Sequence, residues 1–405
     1  MLSVVEALDG HSIVKKLVSM VNSKEFRIDK PQTNIDVEIL SLGGLNDYEK
    51  DLATSFFAYD GSFDTGLITK VLGRNIYIQT KPEGIFYDGL QISGGGYVKT
   101  GLTANTGSSV FMSEMLDQNR LIVPPRADCG IFEHYTTVVQ NGCLTEILET
   151  SPLGSYNEQN ANTKYDNTLN ILQLARGSDF LFAPPIPELF VLFKNIPDTR
   201  GGRQCALVFH SPVQKCRVED FIPEILAAVS VIDMNRRSNV LEQYYSKVIF
   251  PTLYLAGKTA RYLHDQNLCH YQMTLGNMGI IEIIKGSVTI NSLYLADWET
   301  LMPIDSQNPL LARALELSLI FQSAYDVTKF LIRESGLEPA LGVDIIWYSL
   351  VNIFAGYADI LPEQMAGFIQ INKQTIHEQQ QINKWLIPVI KRDFLPALFA
   401  GKFKI

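Results

Sequence analysis

The chain has 405 residues, 46% hydrophobic and 19% charged, and a formal net charge of -9 at pH 7. That composition suits a globular chain long enough for two or three lobes and excludes extended disorder. The acidity argues against nucleic acid or an anionic membrane surface as the main partner, although a local basic pocket could still hold a nucleotide.

Five scattered cysteines, Cys129, Cys143, Cys205, Cys216 and Cys269, include no Cys-x-x-Cys pair. This favours reduced thiols in a cytoplasm over a disulfide framework or a zinc site. The chain opens without a basic stretch leading into an apolar run. No segment approaches about 18 uninterrupted apolar residues, so a soluble cytoplasmic protein with no membrane partner is expected.

Residues 1–75 read as an N-terminal α/β extension. A helix over 4–21 carries Val14, Leu17, Val18 and Val21 at helical spacing, a stripe suited to a core. From Asn75 the pattern turns to strands, over 76–79, 84–92 and 97–100, with Gly94, Gly95 and Gly96 between the last two. Adjacent glycines let backbone N–H groups approach a phosphate closely, and they equally serve a flexible hairpin turn. A second hairpin, 131–139 with 143–148, crosses Gln140-Asn141-Gly142, and Asn-Gly favours a type I′ connection. His134 reads as a half-exposed histidine of that sheet.

The polar stretch 157–163 reads as a loop, followed by a helix over 165–175, strands over 189–193 and 205–210, and a short helix over 218–228. A long helix over 239–263 has a broad apolar face from Leu241 to Tyr262 and a possible kink at Pro251. It delivers the chain to Cys269-His270-Tyr271-Gln272-Met273-Thr274-Leu275-Gly276-Asn277. Strands over 279–284 and 288–295 then form a hairpin across Lys285-Gly286-Ser287. The twenty-residue step from Asn277 to Asp297 can therefore fold back and bring the two to one metal. From 310 to 400 the chain reads as mainly helical, without repeats or heptads.

His270, then Gln272, then Asn277, with Asp297-Trp298-Glu299 closing the following hairpin, resembles the catalytic loop and metal-binding Asp of the protein-kinase-like superfamily. That superfamily includes aminoglycoside and other small-molecule phosphotransferases as well as pseudokinases. The resemblance implies an α+β, two-lobed fold, with a β-rich small lobe over 76–210 and a mainly helical large lobe over 211–405. It implies ATP and Mg²⁺ as cofactors, with Asn277 and Asp297 as the metal ligands. It places Gly94, Gly95, Gly96 and Lys99 at the nucleotide phosphates, with Lys164 as a second candidate lysine, and His210 at the hinge. It makes His270 either a structural residue bonded to backbone near the metal turn or a direct participant. Glu299 is either a group behind the metal or a solvated glutamate.

Two departures stand out against that pattern. The family carries a Glu on the small-lobe helix to pair with its lysine, and the helix over 165–175 contains none. The loop base, an Asp in the family, is Gln272, whose amide cannot take up a proton near neutral pH. Two functions follow from the resemblance. One is group transfer from ATP to a small-molecule or protein acceptor without the usual base. The other is a catalytically inactive pseudokinase that scaffolds a nucleotide or a protein. Cys269, His270 and His264 match no standard zinc spacing.

Overall fold

The computed structural model describes residues 35–72, 75–81, 87–95, 155–177, 181–197, 202–212, 217–285, 288–369, 371–379 and 381–403, together with the backbone of strands at 27–29, 97–98, 102–105, 108–111, 120–122, 126–140 and 143–153. The expected helix over 4–21, Gly96 and Lys99 lie outside the described residues.

The first region is organised by a seven-stranded antiparallel sheet. Its strands are β1 (Val37–Ser41), β2 (Ile68–Leu72), β3 (Asn75–Gln79), β4 (Gly89–Ser93), β5 (Tyr156–Asn157), β6 (Ile186–Pro197) and β7 (Arg203–Ser211). They run in the order β1-β6-β7-β4-β3-β2, and β5 pairs with β7. The residue-75 division thus falls between two neighbouring strands, and β1 from the expected extension pairs with β6, Val191 opposite Ile39.

Side chains alternate across the sheet with period two. Ile76, Ile78, Leu90, Ile92, Ala206 and Val208 face helix α1 (Asp47–Ala58), which covers them with Leu52, Ala53, Phe56 and Phe57. Each large side chain fully buried in this way contributes about 1.5–3 kcal/mol. The start of α1 is fixed by a capping box, in which Asn46 Oδ1 accepts the Glu49 N–H at 2.9 Å and Glu49 reaches back to the Asn46 N–H.

Across the other face lies α2 (Glu158–Gly177), where Ala161 and the adjoining Tyr156 pack on Phe190, Leu192, Cys205, Leu207 and Phe209. This helix begins seven residues before the expected start at 165, inside the stretch read as a loop. Asn157 caps it by accepting the Asn160 N–H at 2.8 Å. Gln159, Asn162 and Thr163 are exposed while Ala161 and Lys164 are buried, so the polar run is one solvated helix face. The hairpin of 126–140 with 143–153 pairs Gln140 with Cys143; the expected Asn141-Gly142 turn lies outside the described residues.

The second region is mainly helical. Helices α3 (Ile222–Ser230), α4 (Met234–Tyr244) and α5 (Phe250–Asp265) lead to the loop, with a π-helical turn at Tyr245–Ile249 between α4 and α5. The single helix expected over 239–263 is thus interrupted just before Pro251. The ring there has no N–H to donate and crowds the preceding turn.

After α5 come β8 (Leu268–Cys269), the loop, the hairpin of β9 (Met278–Lys285) with β10 (Val288–Leu295), and β11 (Met302–Pro303), which pairs with β8. Helices α6 (Pro309–Glu334) and α7 (Pro339–Ala358) follow, then four short ones to Phe399. Helix α7 is long and apolar enough by composition to cross a membrane, but 72% of its most apolar window is buried inside the protein, as in a core helix. One continuous core joins α5, α6, α7 and the inner face of the hairpin through Leu253, Ala260, Leu317, Phe321, Ile353, Ile280 and Leu293.

Candidate functional site

Around the loop, backbone bonding sets the geometry. The hairpin register places Met278 opposite Leu295, and one step further the Ala296 N–H donates to the Asn277 carbonyl at 2.8 Å. Asn277 is therefore paired with Ala296, the residue before Asp297, at the open end of the hairpin. The loop is pinned from below by Met273 and Leu275, both fully buried, and by the Leu275 N–H donating to Ser323 Oγ at 2.8 Å. Gly276 lets the Glu219 carboxylate pack close, because a Cβ would stand 2.9 Å from Glu219 Oε2.

Asp297 adopts a left-handed backbone at φ 57 and opens the 3₁₀ turn Trp298–Thr300. A short polar side chain tolerates that conformation better than most. Trp298 points into the core, edge-on to His270 with ring centroids 5.1 Å apart. Thr300 Oγ1 lies 2.8 Å from the Asp297 carbonyl and 2.7 Å from that of His270, so one hydroxyl spans the loop and the turn that follows the hairpin.

His270 is fully buried, and burial pushes its pKa down to about 4 against the pull of Glu316 and Asp297. The ring is neutral at pH 7. Its Nδ1 accepts the Gln272 N–H at 3.3 Å, which puts the proton on Nε2. His270 is thus held by the Gln272 N–H at its ring and by Glu316 and Thr300 at its main chain, the setting of a positioning group. The Gln272 carbonyl accepts both Asn277 Nδ2 at 3.2 Å and the Thr274 N–H at 2.8 Å.

With Nδ2 so engaged, Asn277 offers Oδ1 to a cation, and Asp297 offers a carboxylate whose side chain is 37% exposed. Neutral amide and carboxylate oxygens are donor types that suit a hard divalent ion such as Mg²⁺. Gln272, partly buried beside them, supplies an amide and no base.

The strongest charge contact at the site comes from α2. Lys164, with 5% of its side chain exposed, places Nζ 2.9 Å from Glu299 Oε2 and 3.9 Å from Asp297 Oδ1. Its ammonium also lies 3.3 Å from Tyr156 Oη. One turn further along, Asn167 Nδ2 donates to the Trp298 carbonyl at 2.8 Å and lies 3.2 Å from that of Leu301. One face of α2 is therefore tied to the turn that carries Asp297. Sequence reading had Lys164 and Glu299 as separate candidates; their pairing, and the part of Asn167, emerge from the packing.

The remaining expected residues stand apart from this cluster. Gly94 and Gly95 end β4 in close packing: a Cβ on Gly94 would meet Tyr156 Cδ2 at 2.6 Å, and one on Gly95 would meet Ile92 Cγ2 at 2.7 Å. The Gly95 carbonyl accepts from Tyr59 Oη at 2.7 Å. Tyr156 nevertheless links Gly94 to Lys164, since the same ring touches both. His210, on β7, lies between two buried carboxylates, with Nδ1 2.8 Å from Glu188 Oε1 and Nε2 3.0 Å from Glu49 Oε2. It joins α1 to the sheet.

Behind the loop lies a second buried cluster that sequence reading missed. Glu316, on α6, accepts the N–H groups of His270 at 2.6 Å and Tyr271 at 3.0 Å and contacts His264 Nε2, while His264 Nδ1 is 2.8 Å from Tyr357 Oη. His264, Cys269 and Glu316 are close enough for their donor atoms to share a metal. However, both ring nitrogens of His264 and Oε1 of Glu316 already serve hydrogen bonds, and burial pushes the Cys269 thiol far up, which keeps it protonated. The arrangement works as an anchor for the loop. A carboxylate within the buried run Ala314, Leu315, Leu317 and Ser318 was its sequence signal.

No family model and no curated protein matches the chain.

Proposed function

We propose that this chain is a kinase-like protein of two lobes, a β-rich lobe around the seven-stranded sheet and a helical lobe from residue 217 onward, which binds ATP with Mg²⁺ and transfers a phosphoryl or other group to an acceptor. The observation that supports the reading is the Ala296-to-Asn277 bond, which pairs Asn277 with the residue before Asp297 at the end of the hairpin. Asn277 and Asp297 would hold the metal, whose chemistry there is neutralisation of phosphate charge.

Gln272 then orients an acceptor or a phosphate through its amide. Loss of a general base is typically worth about 10² to 10⁴ in rate. That penalty falls away where the acceptor is already ionised or is an amine, since positioning and electrostatics carry most of phosphoryl transfer.

A second reading, a non-catalytic nucleotide- or protein-binding scaffold, is favoured by one contact. Tyr77 of β3 and Tyr294 of β10 are both buried and hydrogen-bonded to each other, filling space between the sheet and the hairpin that leads to Asp297.

The test is a thermal-shift titration with ATP, ADP and GTP, with and without Mg²⁺, on wild type and Asp297→Asn, which keeps a residue at ease with positive φ. Ligand at 100 times its dissociation constant adds about 2.7 kcal/mol. A metal-dependent shift absent from Asp297→Asn is the expected result, and labelled ATP then reports turnover. Binding without turnover on any acceptor selects the scaffold. No shift with any nucleotide rejects the nucleotide site.

A further inference from the structure

We infer that Tyr77 and Tyr294 form a gate over the site that carries Asp297, an autoinhibitory contact that has to part before a nucleotide and its metal can enter. The inference rests on the nucleotide reading above and adds how that same site is regulated. The two phenols come from opposite regions, Tyr77 from β3 of the sheet and Tyr294 from β10 of the hairpin. Both are buried, and their hydroxyls are hydrogen-bonded to each other.

Strand alternation decides where each ring goes. On β3, Ile76 and Ile78 pack with α1, so Tyr77 projects from the opposite face of the sheet. Lys70 and Gln91 pair with it on the two neighbouring strands, and the buried Lys70 ammonium lies 4.9 Å from the centre of its ring. On β10, Leu293 and Leu295 face the helical core, so Tyr294 turns the other way, onto Ile281 and Ala183. There its phenol feels the charges of Arg217, Asp297 and Lys164, while that of Tyr77 feels Arg217 and Asp220. The pair therefore stands between the sheet and the turn that carries Asp297.

A hydrogen bond is short-ranged and directional, so this one is lost once the sheet and the hairpin separate by about 1 Å. Closed, the phenols fill the room that a ligand at Asp297 would enter. A ligand that binds only the open state has its apparent affinity reduced by the fraction of protein that is open, and its preference for that state then shifts the balance. The contact that favours a scaffold is, in these terms, the shut state of a binding site.

Tyr77→Phe and Tyr294→Phe each keep a ring in place and remove the bond. Stopped-flow mixing with methylanthraniloyl-labelled ATP and Mg²⁺ reads the gate through the association rate, which a purely structural tyrosine would not move; melting temperatures confirm that each variant is folded. Each single variant and the double variant should associate about tenfold faster than wild type, the net worth of one hydrogen bond, with the dissociation rate little changed. The double should resemble the singles, because all three lose the same bond. Equal association rates in wild type and folded variants overturn the gate and leave the nucleotide reading standing. Faster dissociation in the variants also overturns it, since the tyrosines would then touch the ligand rather than cover its site. Absence of binding in wild type and in every variant rejects the nucleotide reading, and the gate with it.

Discussion

Glu316 Oε1 accepts the backbone N–H of His270 at 2.6 Å, so the first third of the 26-residue helix α6 holds the start of the 270–277 loop directly. Burial pushes the Glu316 carboxyl up, but His264, His270 and the loop N–H groups together hold it below the usual carboxylate range. It is an ionised group in the core, stabilised entirely by these partners.

Glu316→Ala strands the His270 and Tyr271 N–H groups and the His264 ring at once. Removing one partner from a buried pair of this kind costs about 3–5 kcal/mol. Glu316→Gln, which keeps an acceptor oxygen for the loop, should lose much less. Urea unfolding of the two variants checks the order. Equal losses would mean that the charge on Glu316 matters and its backbone bonds do not.

Two of the buried histidines, His270 and His210, predict opposite pH dependences. Burial lowers the His270 pKa from 6.5 to about 4. A depressed histidine contributes stability that is complete above the unfolded value and is lost as pH falls, because the unfolded chain takes up the proton first. From pH 6.5 to 4 that loss is about 3 kcal/mol. His270→Asn, whose Oδ1 can accept the Gln272 N–H in place of Nδ1, should flatten the acid limb of a stability profile. An unchanged acid limb in that variant would assign the loss to other groups.

For His210, burial works against the charged form, yet Glu188 and Glu49 raise the pKa above 6.5. The stabilisation is fully present below the unfolded value and disappears as pH rises through the folded one. His210→Gln should therefore be destabilised most near pH 6, with the gap to wild type narrowing under alkaline conditions. Chemical denaturation at three pH values reads this directly; a gap that widens with pH contradicts the charged pairing.

Helices α5 and α7 cross at two glycines. A Cβ on Gly257 would fall 2.2 Å from the Ile353 carbonyl oxygen, and one on Gly356 would fall 1.9 Å from that of Tyr254. Either substitution to alanine forces backbone apart, at a cost of about 1–3 kcal/mol or more, or several degrees in melting temperature. Gly367→Ala, with nothing within 4 Å of its Cβ, is the control and should be neutral or slightly stabilising.

Several elements were legible from residue order alone. The apolar runs of β3 and β7 were read as strands, the strands flanking Gln140-Asn141-Gly142 were read as a pair, and the hairpin between Asn277 and Asp297 was read to within a residue at either strand end. These signals are local, because side-chain direction and turn conformation depend on neighbours a few positions away. The start of α2 was hidden because its exposed face is polar and its first turn rests on the Asn157 cap.

By itself, then, the sequence determined an α+β chain with a sheet-forming part before a helical part, and it determined the hairpin that lies between Asn277 and Asp297. Only the tertiary structure decided that Lys164 joins Glu299 across 135 positions of chain, that Glu316 anchors His270 across 46, and that β1 lies beside β6. The physical reason is that a buried charge must find its partner wherever packing brings one, and no local pattern encodes which distant carboxylate or amide will be there.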